Sequence, residues 1–152
     1  MNNNLSNLLI KIQSFGAKSA LIENNFSYSY ADLSACINSK RKDYQKSILK
    51  GDVVFLISEF NFNGISSLLA LLSLNVIVAP VSTSAKNLLD IYSKVIKPNW
   101  IIDHSNDEHI DAFENSRATN HNLLEKIRLS IDPGIVLFSS GTTGKPKAMV
   151  YD

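Results

Sequence analysis

Hydrophobic positions along the chain follow two periods, and the change of period marks the elements. Near the N-terminus Leu5, Leu8, Leu9, Ile12 and Phe15 recur at helical spacing, which predicts an amphipathic helix from Leu5 to Phe15 ending near Gly16. Ala20 to Glu23 and Phe26 to Tyr28 are short strand-like runs separated by Asn24 and Asn25. Asparagine tolerates left-handed backbone, so the pair predicts a tight hairpin. Ser29 is placed to cap the next helix, with Asp32 three residues on as its acidic partner. Tyr30, Leu33 and Ile37 continue one face of that helix. Lys40, Arg41 and Lys42 fall near its end, where a solvated basic run suits the helix dipole.

Further on, Lys50-Gly51-Asp52 predicts a turn, and Val53 to Ile57 is an unbroken apolar run of the kind found in strands covered on both faces. Ile65, Leu68, Leu69 and Leu72 predict a helix, Val76 to Ala79 a strand closed by Pro80. Leu88, Leu89, Tyr92, Val95 and Ile96 predict another helix, stopped before Pro98, and Trp100 to Ile102 another strand. This alternation predicts an α/β fold with a mostly parallel sheet, right-handed crossovers and flanking helices. Between Asp103 and Asp132 the pattern dissolves into polar loop, with at most a short helix from Asn122 to Ile127. Asp132-Pro133-Gly134 is a turn into the strand Ile135 to Phe138. That strand is apolar on both faces and is expected inside a parallel sheet. A last strand is expected from Ala148 to Tyr151, pairing with elements beyond this chain.

Composition narrows the classes. The 152 residues fit one domain spanning 1–152, with 45% hydrophobic and 19% charged residues. A net charge of +1 argues against a nucleic-acid or acidic-membrane partner. Cys36 is the single cysteine, so no intramolecular disulfide forms; a buried structural thiol in a reducing, cytoplasmic compartment is expected. Phe60 to Ala85 carries no charge, but Asn61, Asn63, Ser66, Ser67, Ser73, Asn75 and Pro80 interrupt it. A buried helix followed by a buried strand accounts for it, and no membrane span is expected.

The chemistry concentrates in Ser139-Ser140-Gly141-Thr142-Thr143-Gly144-Lys145-Pro146-Lys147. Two glycines permit close backbone approach, hydroxyl residues leave N–H groups free, and two lysines add charge beside them. Such a loop suits a polyphosphate. It is not a Walker A loop: two residues, not four, separate the glycines, and Pro146 stands where Ser or Thr is required. The two histidines His104 and His109 flank Glu108 without the spacing of a zinc helix, so a solvated loop is expected there and no metal site. No Gly-x-Ser-x-Gly surrounds Ser139 or Ser140, which argues against a hydrolase nucleophile.

The same nine residues resemble the phosphate-loop signature of the adenylate-forming (AMP-binding) superfamily: acyl-CoA synthetases, nonribosomal-peptide adenylation domains and luciferases. Ala148 stands where the family pattern usually has glycine. Earlier segments resemble the family in order: Ser29-Tyr30-Ala31-Asp32-Leu33, then Lys50-Gly51-Asp52-Val53-Val54, then Asn75 to Val81, with Asn75 replacing a glycine. The resemblance covers most of the chain. It implies an ATP-dependent, AMP-forming acid–thiol ligase in which a carboxylate attacks ATP-Mg²⁺ and a thiol such as CoA or a carrier protein takes the acyl group. Ser139, Ser140, Gly141, Thr142, Thr143 and Gly144 would wrap the departing phosphates, with Lys147 steadying them and Lys145 at the loop tip. It further implies that the magnesium, ribose, adenine and acyl sites lie mainly in sequence following residue 152, so the chain is expected to be the N-terminal portion of such an enzyme, inactive alone. The alternatives are a stand-alone nucleotide- or phosphate-binding module, or a subunit completing an enzyme in trans without catalysis of its own.

Overall fold

The computed structural model describes residues 3–105, 108–113, 122–129, 132–139 and 146–151. Helix α1 (Asn3–Ser14) leads into an antiparallel hairpin, β1 (Ser19–Glu23) and β2 (Phe26–Ser29). Both turn residues have positive φ, Asn24 at 50° and Asn25 at 65°, the backbone that a two-residue hairpin turn of right-handed twist demands. Ser29 caps α2 (Tyr30–Tyr44) as its sequence predicts. Its Oγ accepts from the Asp32 N–H at 3.1 Å, and Asp32 Oδ2 accepts from the Ser29 N–H at 2.9 Å.

Next come β3 (Val53–Ile57), α3 (Phe62–Ser73), β4 (Ile77–Val81), a 3-10 segment (Thr83–Leu88), α4 (Leu89–Ile96) and β5 (Trp100–Asp103). They are followed by β6 (His109–Ala112), α5 (Asn122–Leu129), β7 (Gly134–Ser139) and β8 (Lys147–Tyr151). Six strands form one sheet in the order β6-β5-β3-β4-β7-β8. The four central strands are parallel, and an antiparallel strand closes each side, β6 on β5 and β8 on β7.

Alternate residues of the sheet feed two cores. Val54, Leu56, Val78 and Ile102 pack with Ile12 of α1, Leu33, Ile37 and Tyr44 of α2, and Ala70 and Leu71 of α3. Val53, Phe55, Ile77 and Val136 pack with Ile96 of α4 and Leu124 and Ile127 of α5. The connection through α3 steps one way along the sheet, and the connection through α4 steps back past β3. Right-handed crossovers with opposite steps put their helices on opposite faces, which is the arrangement seen.

The turns carry the strain where the chain can bear it. Asn75, the residue standing in a glycine position of the resembled pattern, has φ 56°. Asparagine is the ordinary substitute for glycine in that region. At Gly134 an added Cβ would meet Ile127 Cγ2 at 2.9 Å, so glycine lets α5 lie close against the start of β7.

Four expectations are corrected. Pro80 does not close β4; it lies within it, paired with Leu56 of β3. Ile77 N–H donates to Asp52 O at 2.8 Å and Ser58 N–H to Val81 O at 3.0 Å, so odd-numbered residues of β4 bond towards β3. Even-numbered ones face β7, where Gly134 N–H donates to Val76 O at 3.2 Å. The missing N–H of Pro80 therefore points at β7, and the β4–β7 ladder ends with Ile77–Gly134 and Val78–Ile135. Second, the Asp103 to Asp132 stretch contains β6, which pairs with β5 over four residues, and α5 is longer than expected. Third, β7 is not apolar-buried on both faces: Val136 is fully buried but Leu137 is 38% exposed. Fourth, β8 finds its partner inside the chain, pairing with β7 over five residues.

Candidate functional site

The parallel strands bring their carboxyl ends to one edge of the sheet: Ile57 of β3, Val81 of β4, Asp103 of β5 and Ser139 of β7. Open α/β sheets bind ligands at that edge, beside the strands where the connections change direction. Here those strands are β3 and β4. Their exits are tied together, because Glu59 Oε1 accepts from both the Thr83 N–H at 3.2 Å and the Thr83 hydroxyl. Gly64 makes the tie compact: an added Cβ would stand 2.2 Å from Ser58 Oγ and 2.3 Å from Glu59 O.

The N-terminus of α3 opens at this edge but is already occupied. Asn61 Oδ1 accepts from the Gly64 N–H at 2.8 Å, and Glu23 Oε2, from the hairpin, accepts from the Phe62 N–H at 3.0 Å. A carboxylate at the positive end of the helix dipole leaves that end poorly suited to a second anion. On the β5 side Lys86 Nζ lies 2.5 Å from Asp103 Oδ2 and 3.1 Å from Ser105 Oγ. Burial pushes the Asp103 carboxyl up, but Lys86 and Ser105 together outweigh it and hold the group below the usual carboxylate range.

The Ser/Thr/Gly/Lys loop leaves this edge from β7. Ser139 and Lys147 are register partners, with Phe138 opposite Ala148 one step below. The loop is thus the connection of an antiparallel hairpin, held at both ends by main-chain pairing. Of the eight predicted site residues, the structure describes these two; Ser140, Gly141, Thr142, Thr143, Gly144 and Lys145 lie outside the described residues. Lys147 is exposed and Ser139 half-buried. Directly opposite residues project to the same side of a sheet, so Ser139 and Lys147 share a face with Leu137, Met149 and Tyr151. Phe138 projects to the other face. There its ring stacks on Tyr92 of α4, with centroids 3.9 Å apart and planes 7° from parallel, and tilts against Phe55 at 6.4 Å.

Sequence reasoning missed a buried polar cluster behind the edge. Lys40 continues the stripe Leu33–Ile37–Tyr44 and is 9% exposed, not solvated. Its ammonium pairs with Glu108 Oε2, and Glu108 Oε1 accepts from the Tyr44 hydroxyl at 2.8 Å. Tyr44 Oη lies 2.7 Å from Ser67 Oγ, and Ser67 Oγ 3.2 Å from His104 Nε2. Each hydroxyl has one proton, so one assignment satisfies the chain: His104 Nε2–H to Ser67, Ser67 to Tyr44, Tyr44 to Glu108. His104 Nδ1 is then the bare nitrogen, and it is buried without a partner. Burial lowers the His104 pKa and raises that of Tyr44. Burial also pushes Glu108 up, but the bonds from Lys40 and Tyr44 outweigh it and hold its carboxyl below the ordinary range. His104 is therefore a core histidine, contrary to the solvated loop expected, whereas His109 is exposed on β6. The sequence signal was the spacing of Lys40, three residues after Ile37 and seven after Leu33. Cys36 is half-buried, not enclosed. Among the described residues no group of three or more His, Cys, Asp or Glu could hold a metal ion, and no helix is long and apolar enough to cross a membrane.

Known proteins with this architecture are found by structure and not by sequence. No family model and no curated sequence matches the chain. The N-terminal subdomain of Klebsiella oxytoca NpsA, in complex with 3-hydroxyanthranilyl-AMSN, superposes with a TM-score of 0.71 at 20% identity, over 95% of this chain and 39% of that one. The chain has the N-terminal fold of the adenylate-forming enzymes. The adenylation fold recurs in AB3403, a four-domain nonribosomal peptide synthetase bound to AMP and glycine, with a TM-score of 0.70 at 16% identity over 98% of this chain and 12% of that one. It recurs again in Bacillus subtilis O-succinylbenzoate coenzyme A synthetase in complex with AMP, with a TM-score of 0.65 at 17% identity over 92% and 40%. The chain thus spans about two fifths of the NpsA subdomain and of the coenzyme A synthetase.

Proposed function

We propose that this chain supplies the phosphate-binding part of an ATP-dependent, carboxylate-activating ligase. The observation that carries the reading is the nine-residue Ser/Thr/Gly/Lys segment spanning two paired strands at the carboxyl edge of an adenylation fold. In the reaction a carboxylate oxygen bonds to the α-phosphorus of ATP while the bond from that phosphorus to the bridging oxygen breaks, and pyrophosphate leaves with the electron pair. The leaving group gains negative charge. Backbone N–H groups of Ser140 to Gly144, the hydroxyls of Ser139, Thr142 and Thr143, and the Lys147 ammonium answer that charge, with Lys145 at the tip. Of these, Ser139 and Lys147 are register partners at the ends of β7 and β8. The sulfur of a thiol, CoA or a carrier protein, then bonds to the acyl carbon, the bond from that carbon to the phosphate oxygen breaks, AMP leaves with the electron pair, and the thiol proton passes to solvent. Magnesium accompanies ATP as substrate, and the described residues offer no cluster of three or more His, Cys, Asp or Glu for it.

The length match to about two fifths of the relatives supports a division of labour, with the remaining sites supplied by other sequence. Alone, the chain is then expected to show no carboxylate-dependent ATP–pyrophosphate exchange. Robust exchange with any acid of a panel would overturn the partial-site reading.

A second reading draws on β8: because it pairs with β7 within the chain, both ends of the loop are anchored without outside help. That favours a stand-alone phosphate-binding module, whose mark is micromolar ATP-Mg²⁺ affinity by calorimetry with exchange-protected amides at Gly141 to Gly144. Weak binding and unprotected amides are the expectation for the ligase part.

A further inference from the structure

Strand β6 forms one edge of the sheet and buries little. Its four residues, His109 to Ala112, are all exposed, and its main chain pairs with β5. Phe113 N–H adds one bond, to Asn99 O at 2.8 Å. Segments with so little buried surface open at lower cost than the core. A side-chain fastening sits at the head of the strand: Glu108, whose carboxylate takes the Lys40 ammonium and the Tyr44 hydroxyl of α2. His104, at the exit of β5, belongs to the same cluster. Its side chain is 5% exposed, and its Nε2 lies 3.6 Å from Glu108 Oε2.

The cluster accommodates a neutral His104 and not a charged one. With Nε2–H donating to Ser67, a second proton would sit on Nδ1, which is buried and has no hydrogen-bond partner. A charged donor enclosed without an acceptor is costly. The groups facing the ring do not relieve it: Glu108 is committed to Lys40 and Tyr44, Asp103 is tied to Lys86, and the Lys40 ammonium repels a charged ring. Tyr44 and Ser67 stand on α2 and α3, which the core residues Leu33, Ile37, Ala70 and Leu71 hold in place. The element that gives way is β6, with its exposed side chains. We infer that β6 is an acid-released strap: proton uptake by His104 detaches Glu108 from α2 and lets β6 peel from β5 while the rest of the sheet stays folded. The released ring meets water at both nitrogens, and the uncovered edge of β5 offers its main chain to another strand. Because β6 and β8 lie at opposite ends of the sheet, failure of this inference would leave the phosphate-loop reading untouched.

Burial holds the enclosed ring below its ordinary pKa of 6.5, and the released ring regains that value, so opening takes up a proton. Above 6.5 the opening is independent of pH, and below it the opening grows by up to about tenfold per pH unit. The test is hydrogen exchange of the whole chain from pH 8 to pH 5.5 in low urea, read as protection factors. Amides of His109 to Phe113 should lose protection on that slope with little dependence on urea. Those of Val53 to Ile57 should stay better protected and respond steeply to urea, as global unfolding requires. His104→Gln, which cannot take up the proton, should flatten the β6 profile. Glu108→Gln should lower β6 protection by about tenfold already at pH 8 through the lost fastening. Nitrogen-15 titration of the His104 ring in the unaltered chain decides the matter if either variant fails to fold: the ring should take up its proton only as β6 loses protection. A ring that charges while β6 stays protected, a β6 profile independent of pH, or β6 and β3 amides with one shared protection and urea dependence would overturn the inference.

Discussion

Tyr92 stacks face to face on Phe138, one residue before the loop begins, with ring centroids 3.9 Å apart. Register pairing with β4 has already ended three residues earlier, at Ile135, so this stack helps fix the upper part of β7 against α4. Tyr92→Ala should lower stability by about 2 kcal/mol, combining lost ring burial with the lost aromatic pair. It should also speed amide exchange at Val136 to Ser139 beyond what global unfolding explains. Tyr92→Phe keeps the stack and should do neither; urea titration with hydrogen exchange checks both variants.

The two lysines of the loop are expected to differ. In an enzyme assembled with this chain as its N-terminal part, Lys147→Ala should cost about 2–4 kcal/mol at the adenylation transition state, the scale of one lost charge-stabilising donor. Gly141→Val should be comparably damaging by blocking backbone approach. Lys145→Ala should matter less. Single-turnover adenylation rates rank the three, and a larger effect from Lys145→Ala reverses the assignment.

Acid should unfold the chain in two steps. His104 has a lowered pKa when folded, so below its ordinary value of 6.5 the unfolded chain takes up a proton that the folded one resists, and stability falls. Glu108 is also held below its ordinary 4.5, so its contribution is present above that value and is lost as pH falls further. Thermal melts from pH 8 to pH 3 should show both, with the upper step absent in His104→Gln. Glu108→Gln should cost about 2–3 kcal/mol at pH 7, because Lys40 is left buried without its counter-charge. If nitrogen-15 spectra place the neutral His104 proton on Nδ1, the hydrogen-bond assignment is wrong.

The outer edge of β8 is unpaired among the described residues, and Leu137, Met149 and Tyr151 are exposed beside it at 38%, 43% and 51%. An open edge next to apolar surface promotes association. Sedimentation velocity should show concentration-dependent self-association that Met149→Lys reduces. A monomer at every concentration would contradict this.

Much of the fold was legible because its signals are local. The Asn24-Asn25 turn, the Ser29/Asp32 cap and the unbroken Val53 to Ile57 run each state their own structure within a few residues. What escaped depends on distant partners. Lys40 looks solvated until Glu108, 68 residues on, meets it on the far side of the turn after β5. β6 is four residues with exposed side chains, and its strand character comes from pairing with β5. Pro80 reads as a stop by composition, yet β4 tolerates it because its bare nitrogen faces the one neighbour whose ladder has ended. That Ser139 and Lys147 stand opposite one another depends on the pairing of β7 with β8, which neither segment states by itself.

Pro80 has a mechanical consequence. The sheet carries a seam: β4 and β7 are joined by a short ladder near the base of β7, and above it by side chains alone. Tension applied along the chain through Tyr151 would meet little main-chain resistance there, and the β7–β8 hairpin would unzip from the domain as one piece, keeping its own five-residue ladder. In a force-extension trace the hairpin should yield first, and Pro80→Val, which restores a donor opposite β7, should raise that first yield force.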